Sequence, residues 1–362
     1  MTSPPSKSVA EAVDLRDLTH PELEQYVESL GERRFRADQL FRWLHAQGVT
    51  DLDHLSNVSH ELRQRLAAET RLTTLQTVEV ADSADGSAKL AFRTADHHLV
   101  ESVLMPEATK VSVCLSTQVG CAMGCVFCAT AGLGLRRSLT AGEIVDQLYR
   151  IRAWMLSRDD DRRISNIVYM GMGEPLANLR GTKRSLEILM HPLGANLSSR
   201  RITLSTAGVI PGLERMATWD FQVNLAISLN ATTQDARERL MPIARKFPLD
   251  RLFATLRAFP LEKRRRITFE YVLIAGVNDS DEDAARLPRL VAGLPCKFNV
   301  ILLNPIDGSD FAPPAPDRVE AFCEPIRQAG YTVITRHSRG ADISAACGQL
   351  AGRLRSLDRP IG

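Results

Sequence analysis

Apolar residues recur at helical spacing from Leu15 to about residue 70: Leu23, Tyr26, Val27 and Leu30 share one face, and Leu40, Phe41 and Leu44 share another. Residues 88–93 and 99–104, split by Asp96-His97-His98, read instead as a pair of strands. A small, mainly helical N-terminal domain is therefore expected over residues 1–95, taking in the start of that strand pair, with its first eight residues disordered. Beyond it the period changes. Short β-rich runs at 111–116, 166–170, 201–205, 224–228, 268–274 and 298–303 alternate with amphipathic helices. One helix opens at Thr140, where Glu143 completes a capping box and Ile144, Val145, Leu148 and Ile151 form the apolar face. Six such repeats predict an α/β fold, a parallel sheet wound into a partial (β/α)6 barrel of the TIM type over residues 96–355, with a tail at 356–362. Binding groups in such barrels come from the loops after the strands. Here a cysteine cluster follows the first strand, Gly173-Glu174-Pro175 the second, Thr206-Ala207-Gly208 the third and Asn304-Pro305 the sixth.

Composition narrows the class. A chain of 362 residues suggests about two domains. With 44% hydrophobic and 24% charged residues it is neither disordered nor fibrous. No apolar run approaches the ~20 residues of a membrane helix, and the stretch from Met1 to Lys7 is followed by no apolar secretory segment. A cytoplasmic protein with no membrane association is expected. The net charge of +2 argues for no partner, but residues 200–270 hold thirteen Lys/Arg against seven Asp/Glu. The block Lys263-Arg264-Arg265-Arg266 within that stretch reads as a solvated face or as a phosphate-binding patch. Arg33 to Trp43 mixes arginines with aromatics: the aromatics read as core, and the arginines as further phosphate candidates.

Four of the seven cysteines, Cys114, Cys121, Cys125 and Cys128, crowd into fifteen residues. In a cytoplasmic chain with a large core such crowding means metal or redox chemistry before a disulfide scaffold. Cys121-x3-Cys125-x2-Cys128 can ligate three irons of a cubane cluster and leave the fourth iron open to an exogenous ligand. A structural zinc site is the competing reading; it needs four ligands, and Cys114, seven residues upstream, would have to be the fourth. Phe127, inside the motif, would pack over an adenine ring or shield the cluster.

The three-cysteine loop resembles that of the radical S-adenosylmethionine (SAM) superfamily. The likeness narrows to the RlmN/Cfr family of RNA adenine methyltransferases through four segments. These are the run from Cys114 through Cys128 to Thr130, Gly171-Met172-Gly173-Glu174-Pro175-Leu176, Leu204-Ser205-Thr206-Ala207-Gly208-Val209, and residues 339–352 around Cys347. It spans about residues 20–355. The resemblance implies a [4Fe-4S] cluster on Cys121, Cys125 and Cys128, with SAM chelating the open iron and yielding a 5′-deoxyadenosyl radical on reduction. It implies SAM contacts at Gly173, Glu174, Ser205, Ser228, Leu229, Asn230 and Asn304, with Asn230 standing where some relatives have His. Cys347 matches the cysteine that is methylated by one SAM and then, as a radical, adds to adenine to form a covalent RNA adduct. Cys114 matches the partner that resolves the adduct, ending in a disulfide with Cys347, and Glu101 matches the proton acceptor. Such chemistry suits an electrophilic ring carbon, which has no nucleophilic character towards SAM and calls for covalent catalysis.

The N-terminal domain and Gln118-Val119-Gly120 lean towards methylation of adenine C2 rather than the Cfr-type C8 reaction. Expected partners are 23S rRNA and tRNA, with a flavodoxin or ferredoxin as electron donor, and the chain is expected to act as a monomer. Two other classes stay in view: a different radical SAM enzyme, such as a glycyl-radical activase, which would not need Cys114 or Cys347, and a zinc-dependent RNA-binding protein. Cys296 and Cys323 read as buried free thiols, His97, His98, His191 and His337 as turn or hydrogen-bonding residues, and Asp279, Asp281, Glu282 and Asp283 as loop and helix-cap residues.

Overall fold

The computed structural model describes residues 12–107, 110–336 and 338–350; the expected disordered start, His337 and the tail lie outside the described residues. Three helices build the N-terminal unit: α1 (His20–Ser29), α2 (Phe35–Phe41) and α3 (His60–Glu69). Leu23, Val27, Leu40, Phe41 and Leu44 are fully buried, as their spacing requires. Two short strands, Val13–Asp14 and Thr70–Arg71, pair in parallel and bring the two ends of the unit together.

Among the described residues, the rest of the chain winds around a ten-stranded sheet, beside which Gln118–Val119 and Arg137–Ser138 form a short antiparallel pair. Its first three strands, β1 (Gln76–Asp82), β2 (Ala88–Arg93) and β3 (Leu99–Pro106), form an antiparallel meander. β4 (Val111–Cys114) is antiparallel to β3 and parallel to β5 (Ile164–Tyr169). β6 (Ile202–Thr206), β7 (Asn224–Ser228), β8 (Ile267–Leu273), β9 (Cys296–Leu302) and β10 (Val333–Arg336) then continue the parallel order. Spatial order follows chain order, so β1 and β10 are the two edges and the barrel stays open. All six expected parallel strands are present, and two further strands join them. β10 is four residues long and half exposed, and β1 is an edge strand mostly turned to solvent, so neither shows a long apolar run. The expected boundary at residue 95 falls in the turn between β2 and β3, two paired strands of this sheet.

Helices α4 (Ala141–Leu156), α5 (Leu179–Met190), α6 (Ile210–Met216), α7 (Gln234–Leu240), α8 (Leu249–Ala258), α9 (Asp281–Leu290) and α10 (Pro316–Gln328) connect the parallel strands. The Thr140–Glu143 capping box of α4 is formed in both directions, at 3.2 and 2.9 Å. Arg137 clamps the same Glu143 and reaches Asp96. Alternation along β8 separates the outside of the barrel from its inside. Phe269 packs on Phe253 of α8 and on Phe298 of β9, whereas Thr268, Glu270 and Val272 face internal cavities. Among the described residues, no helix is long and apolar enough to cross a membrane.

Candidate active site

The loop after β4 carries the three-cysteine motif, and its path is fixed by backbone hydrogen bonds. Cys121 N donates to Gly134 O (3.2 Å), Val126 N to Leu240 O (3.0 Å) and Ala129 N to Gly348 O (2.7 Å). Cys121, Cys125 and Cys128 thereby line one cavity of about 160 Å³ with Phe127, Gly173 and Glu174. Burial pushes the Cys121 thiol up to about 12 and the Cys125 thiol higher still. Thiols held this far from ionisation become thiolates when a metal cation binds them.

The polar residues expected around SAM reach the same cavity from four strand ends: Gly173 and Glu174 after β5, Ser205 at the end of β6, Ser228 at the end of β7 with Asn230 just beyond it, and Asn304 after β9. Gly173 has φ +99, and a Cβ there would lie 2.5 Å from Gln118 Cβ, so the chain needs glycine at this turn. Glu174 is buried and accepts from Ala207 N (2.7 Å) and Leu176 N (3.0 Å); burial raises its pKa against those bonds. Three expected contacts behave differently. Leu229 packs into the core and lines neither cavity described here. The Asn230 side chain is spent on protein, accepting from Val272 N (2.8 Å) and donating to Met241 Sδ (3.2 Å). Asn304 donates to Cys347 O (3.0 Å) and accepts from Ser338, so it also ties down the C-terminal loop.

That loop places Cys347 on the wall shared by the first cavity and a second of about 740 Å³. Cys114, at the end of β4, lines the second. Protein surrounds Cys347, pushing its thiol up to about 11, yet its side chain opens on the cavity. The expected disulfide is not formed: all seven cysteines are free, and Cys114 and Cys347 face the same space as separate thiols, Cys296 and Cys323 being buried elsewhere. Glu101 lines neither cavity; it is buried against Lys89, at 3.1 Å, and Lys89 donates in turn to Ser344 O (3.3 Å). The turn between β1 and β2 anchors the same loop: Asp342 accepts from Ser83 Oγ (2.6 Å) and Ala84 N (3.1 Å), and Asp85 from Gly340 N (3.0 Å).

Two further residues at the cavities belong to none of the sequence motifs. Glu270 stands on both cavities, buried, its pKa raised by that burial and its carboxylate held by Asn299 (2.8 Å). A lone acid in the apolar strand Ile267–Leu273 was its signal. Arg237 is buried behind the first cavity, and nothing in an arginine-rich stretch distinguishes it. The larger cavity is also lined by Lys110, Arg200, Arg201, Lys297, Arg336 and Arg339. The block 263–266 lies before β8, at the same strand end as Arg200 and Arg201 before β6, but does not line the cavity. There Arg265 holds Glu262, Ser199 and the Gln222 carbonyl at 2.7–3.0 Å, which favours a structural reading of that residue. His97 occupies a turn at φ 67, and His191 accepts from Leu193 N (3.2 Å). Asp281, Glu282 and Asp283 fill the first turn of α9.

An open α/β barrel with a three-cysteine loop after its first parallel strand is the architecture of a radical SAM enzyme, and residues 115–287 match the family model of the radical SAM superfamily. Residues 13–72, the helical unit, match that of the ribosomal RNA large subunit methyltransferase N-terminal domain. A dual-specificity RNA methyltransferase RlmN from Anaeromyxobacter dehalogenans (strain 2CP-C) is 48% identical over 93% of this chain and 91% of its own length. That from Geobacter sulfurreducens (strain ATCC 51573 / DSM 12127 / PCA) is 46% identical over 97% and 95%. The crystal structure of a radical SAM methyltransferase from Sphaerobacter thermophilus superimposes with a TM-score of 0.88 at 44% identity, covering 94% of this chain and 99% of that one. The chain belongs to the RlmN family of radical SAM RNA methyltransferases. Membership implies a [4Fe-4S] cluster and SAM. Three clustered thiols, the buried cation of Arg237 beside them and a cavity walled by amide, hydroxyl and carboxylate groups suit both.

Proposed function

We propose that this chain methylates C2 of adenine in both 23S rRNA and tRNA. The observation that carries the reading is the position of Cys347, on the wall between the cavity of the cysteine loop and the basic cavity that holds Cys114. From there one thiol can take a methyl group on one side and present it to a nucleobase on the other. Cys121, Cys125 and Cys128 would hold the cluster, which when bound would supply the electron for reductive cleavage of SAM. Gly173, Glu174, Ser205, Ser228 and Asn304 bind SAM, with Leu229 and Asn230 acting through their backbone, since the Asn230 side chain is engaged elsewhere. Cys347 would lose its thiol proton and take a methyl group from one SAM, which leaves as S-adenosylhomocysteine; once the radical a second SAM would supply has removed one hydrogen atom from that methyl, its carbon bonds to adenine C2. The adduct gives up one electron and the adenine C2 proton, which passes by way of Lys89 to Glu101; Cys114 then attacks the Cys347 sulfur, so that an S–S bond forms as the S–CH2 bond breaks and the released carbon takes a proton to become the methyl group, and an external two-electron thiol reductant returns the disulfide to two thiols at each turnover. Adenine must leave its stack to reach Cys347. Arg200, Arg201, Lys297 and Arg336 give the cavity the charge to receive a nucleic acid. The electron comes from a flavodoxin or ferredoxin, and the enzyme works as a cytoplasmic monomer.

Relatives named dual-specificity RNA methyltransferase RlmN support C2 and both RNA classes, and leave the C8 alternative unfavoured. The test is expression in a bacterial strain lacking its own adenine-C2 methyltransferase, followed by mass spectrometry of digested rRNA and tRNA. 2-Methyladenosine is expected in both pools, and in neither with Cys347→Ala. 8-Methyladenosine, or the product persisting in the variant, would overturn the reading.

A further inference from the structure

Arg237, the fourth residue of α7, turns back beneath the loops that follow β6 and β7. It is fully buried. Nε donates to Leu229 O (3.2 Å), and Nη2 donates to Ala207 O (2.7 Å) and Ser228 O (3.3 Å). Nη1 is buried with no hydrogen-bond partner among the described residues. Carbonyl dipoles satisfy part of a guanidinium but do not neutralise it, and an uncompensated buried charge is costly. Burial accordingly pulls this guanidinium down to about 10, and the titratable neighbour coupled to it is the Cys125 thiol.

Packing explains why these two groups meet. The carbonyl of Leu240, one turn beyond Arg237, accepts from Val126 N inside the three-cysteine motif (3.0 Å). Pro242 lies against Gly124 of the same loop, 3.4 Å from where a Cβ would stand. Leu240 and Met241 share a small apolar cluster with Cys121 and Met123, and Cys125 packs on it. The end of α7 is thus docked on the cysteine loop, with a buried cation one turn away.

We propose that Arg237 is a positioning residue for the redox step, its charge and free N–H serving as the counter-charge of the iron–sulfur cluster and holding its reduction potential up. The inference rests on the reading of Cys121, Cys125 and Cys128 as the cluster ligands. Reduction transfers one electron from an external one-electron donor to a group already made anionic by three thiolates. A fixed cation in a low-dielectric site favours the reduced state, and no proton moves at Arg237.

The experiment is an anaerobic redox titration of the full-length, cluster-loaded enzyme, followed by electron paramagnetic resonance, for wild type, Arg237→Met and Arg237→Lys. Iron and sulfide content are measured alongside. In the Met variant the reduced-to-oxidised ratio at a fixed potential should fall at least tenfold, a drop of about 59 mV for a one-electron couple. Lys keeps the charge while losing the guanidinium fork, and should recover most of that shift. A fully loaded Met variant with the wild-type potential would overturn the proposal. If the Met variant holds no cluster, the Lys variant decides: wild-type iron content and potential support the counter-charge, and loss of the cluster there too reduces Arg237 to a clamp on the loops. A wild-type chain that binds no iron would instead remove the cluster reading itself.

Discussion

Glu270 is a carboxyl group set into an apolar strand, facing Asn299 from the neighbouring strand, with the charges of Arg336 and Lys297 acting on it and the Cys347 thiol nearby. Burial raises its pKa in the native state above the 4.5 of the free side chain. Above that value the native chain holds more protons than the unfolded one, so stability falls as pH rises through the native pKa. Each unit of difference is worth about 1.4 kcal/mol. Glu270→Gln keeps an oxygen for Asn299 and removes the titration. Its melting temperature should therefore match wild type below pH 4.5, exceed it increasingly as pH rises through the raised native pKa, and level off above it; a constant difference across the whole range would show that Glu270 is not the titrating group. Neighbouring residues show how far chemistry is legible without coordinates. Glu174 and Ser205 could be placed from their motifs, and both reach the cavity. That Asn230 would spend its side chain on Val272 and Met241 depends on where β8 and the end of α7 pack, which no local pattern encodes.

Among the elements, α4 joins the N-terminal unit to the sheet. Its Asp146 pairs with Arg16, both side chains fully buried, and also accepts from Leu75 N (2.6 Å). Arg16 reaches on to Val49 O, and Tyr149, one turn further along α4, bonds His45 (2.9 Å). Asp146→Asn leaves the guanidinium buried without its anion, a loss on the order of 3–5 kcal/mol. It should appear as a lower denaturant midpoint at an unchanged slope. Arg16 and Asp146 carry no signal in the sequence, because their pairing spans 130 positions. The strands were legible where the chain is buried on both faces, as in Thr268 to Leu273, and illegible at the edges, where β1 and β10 turn half their residues to water. The capping box of α4 was visible because it is local: two side chains three residues apart satisfy each other's backbone.

For the whole molecule, charge is arranged by depth rather than by total. The net charge of +2 is unremarkable, yet the larger cavity is lined by six basic side chains. Replacing Arg200, Arg201 and Lys297 by Ala should lower RNA affinity and flatten its dependence on salt by roughly 0.7–0.9 per lost phosphate contact. The same change at Arg264 and Arg266 should leave the slope as it is. Equal slopes for the two sets, read from binding isotherms at several salt concentrations, would return the cavity arginines to a structural role. The anchoring of the Cys347 loop on the β1–β2 turn also has a consequence in time. Gly340 bonds Asp85 across 255 positions, and Asp342 bonds Ser83 across 259. At ribosomal speed, the turn therefore waits on the order of tens of seconds for its partner. The cysteine loop leaves the tunnel long before Cys347, so a nascent chain can meet iron while the thiol that carries the methyl group is still untranslated.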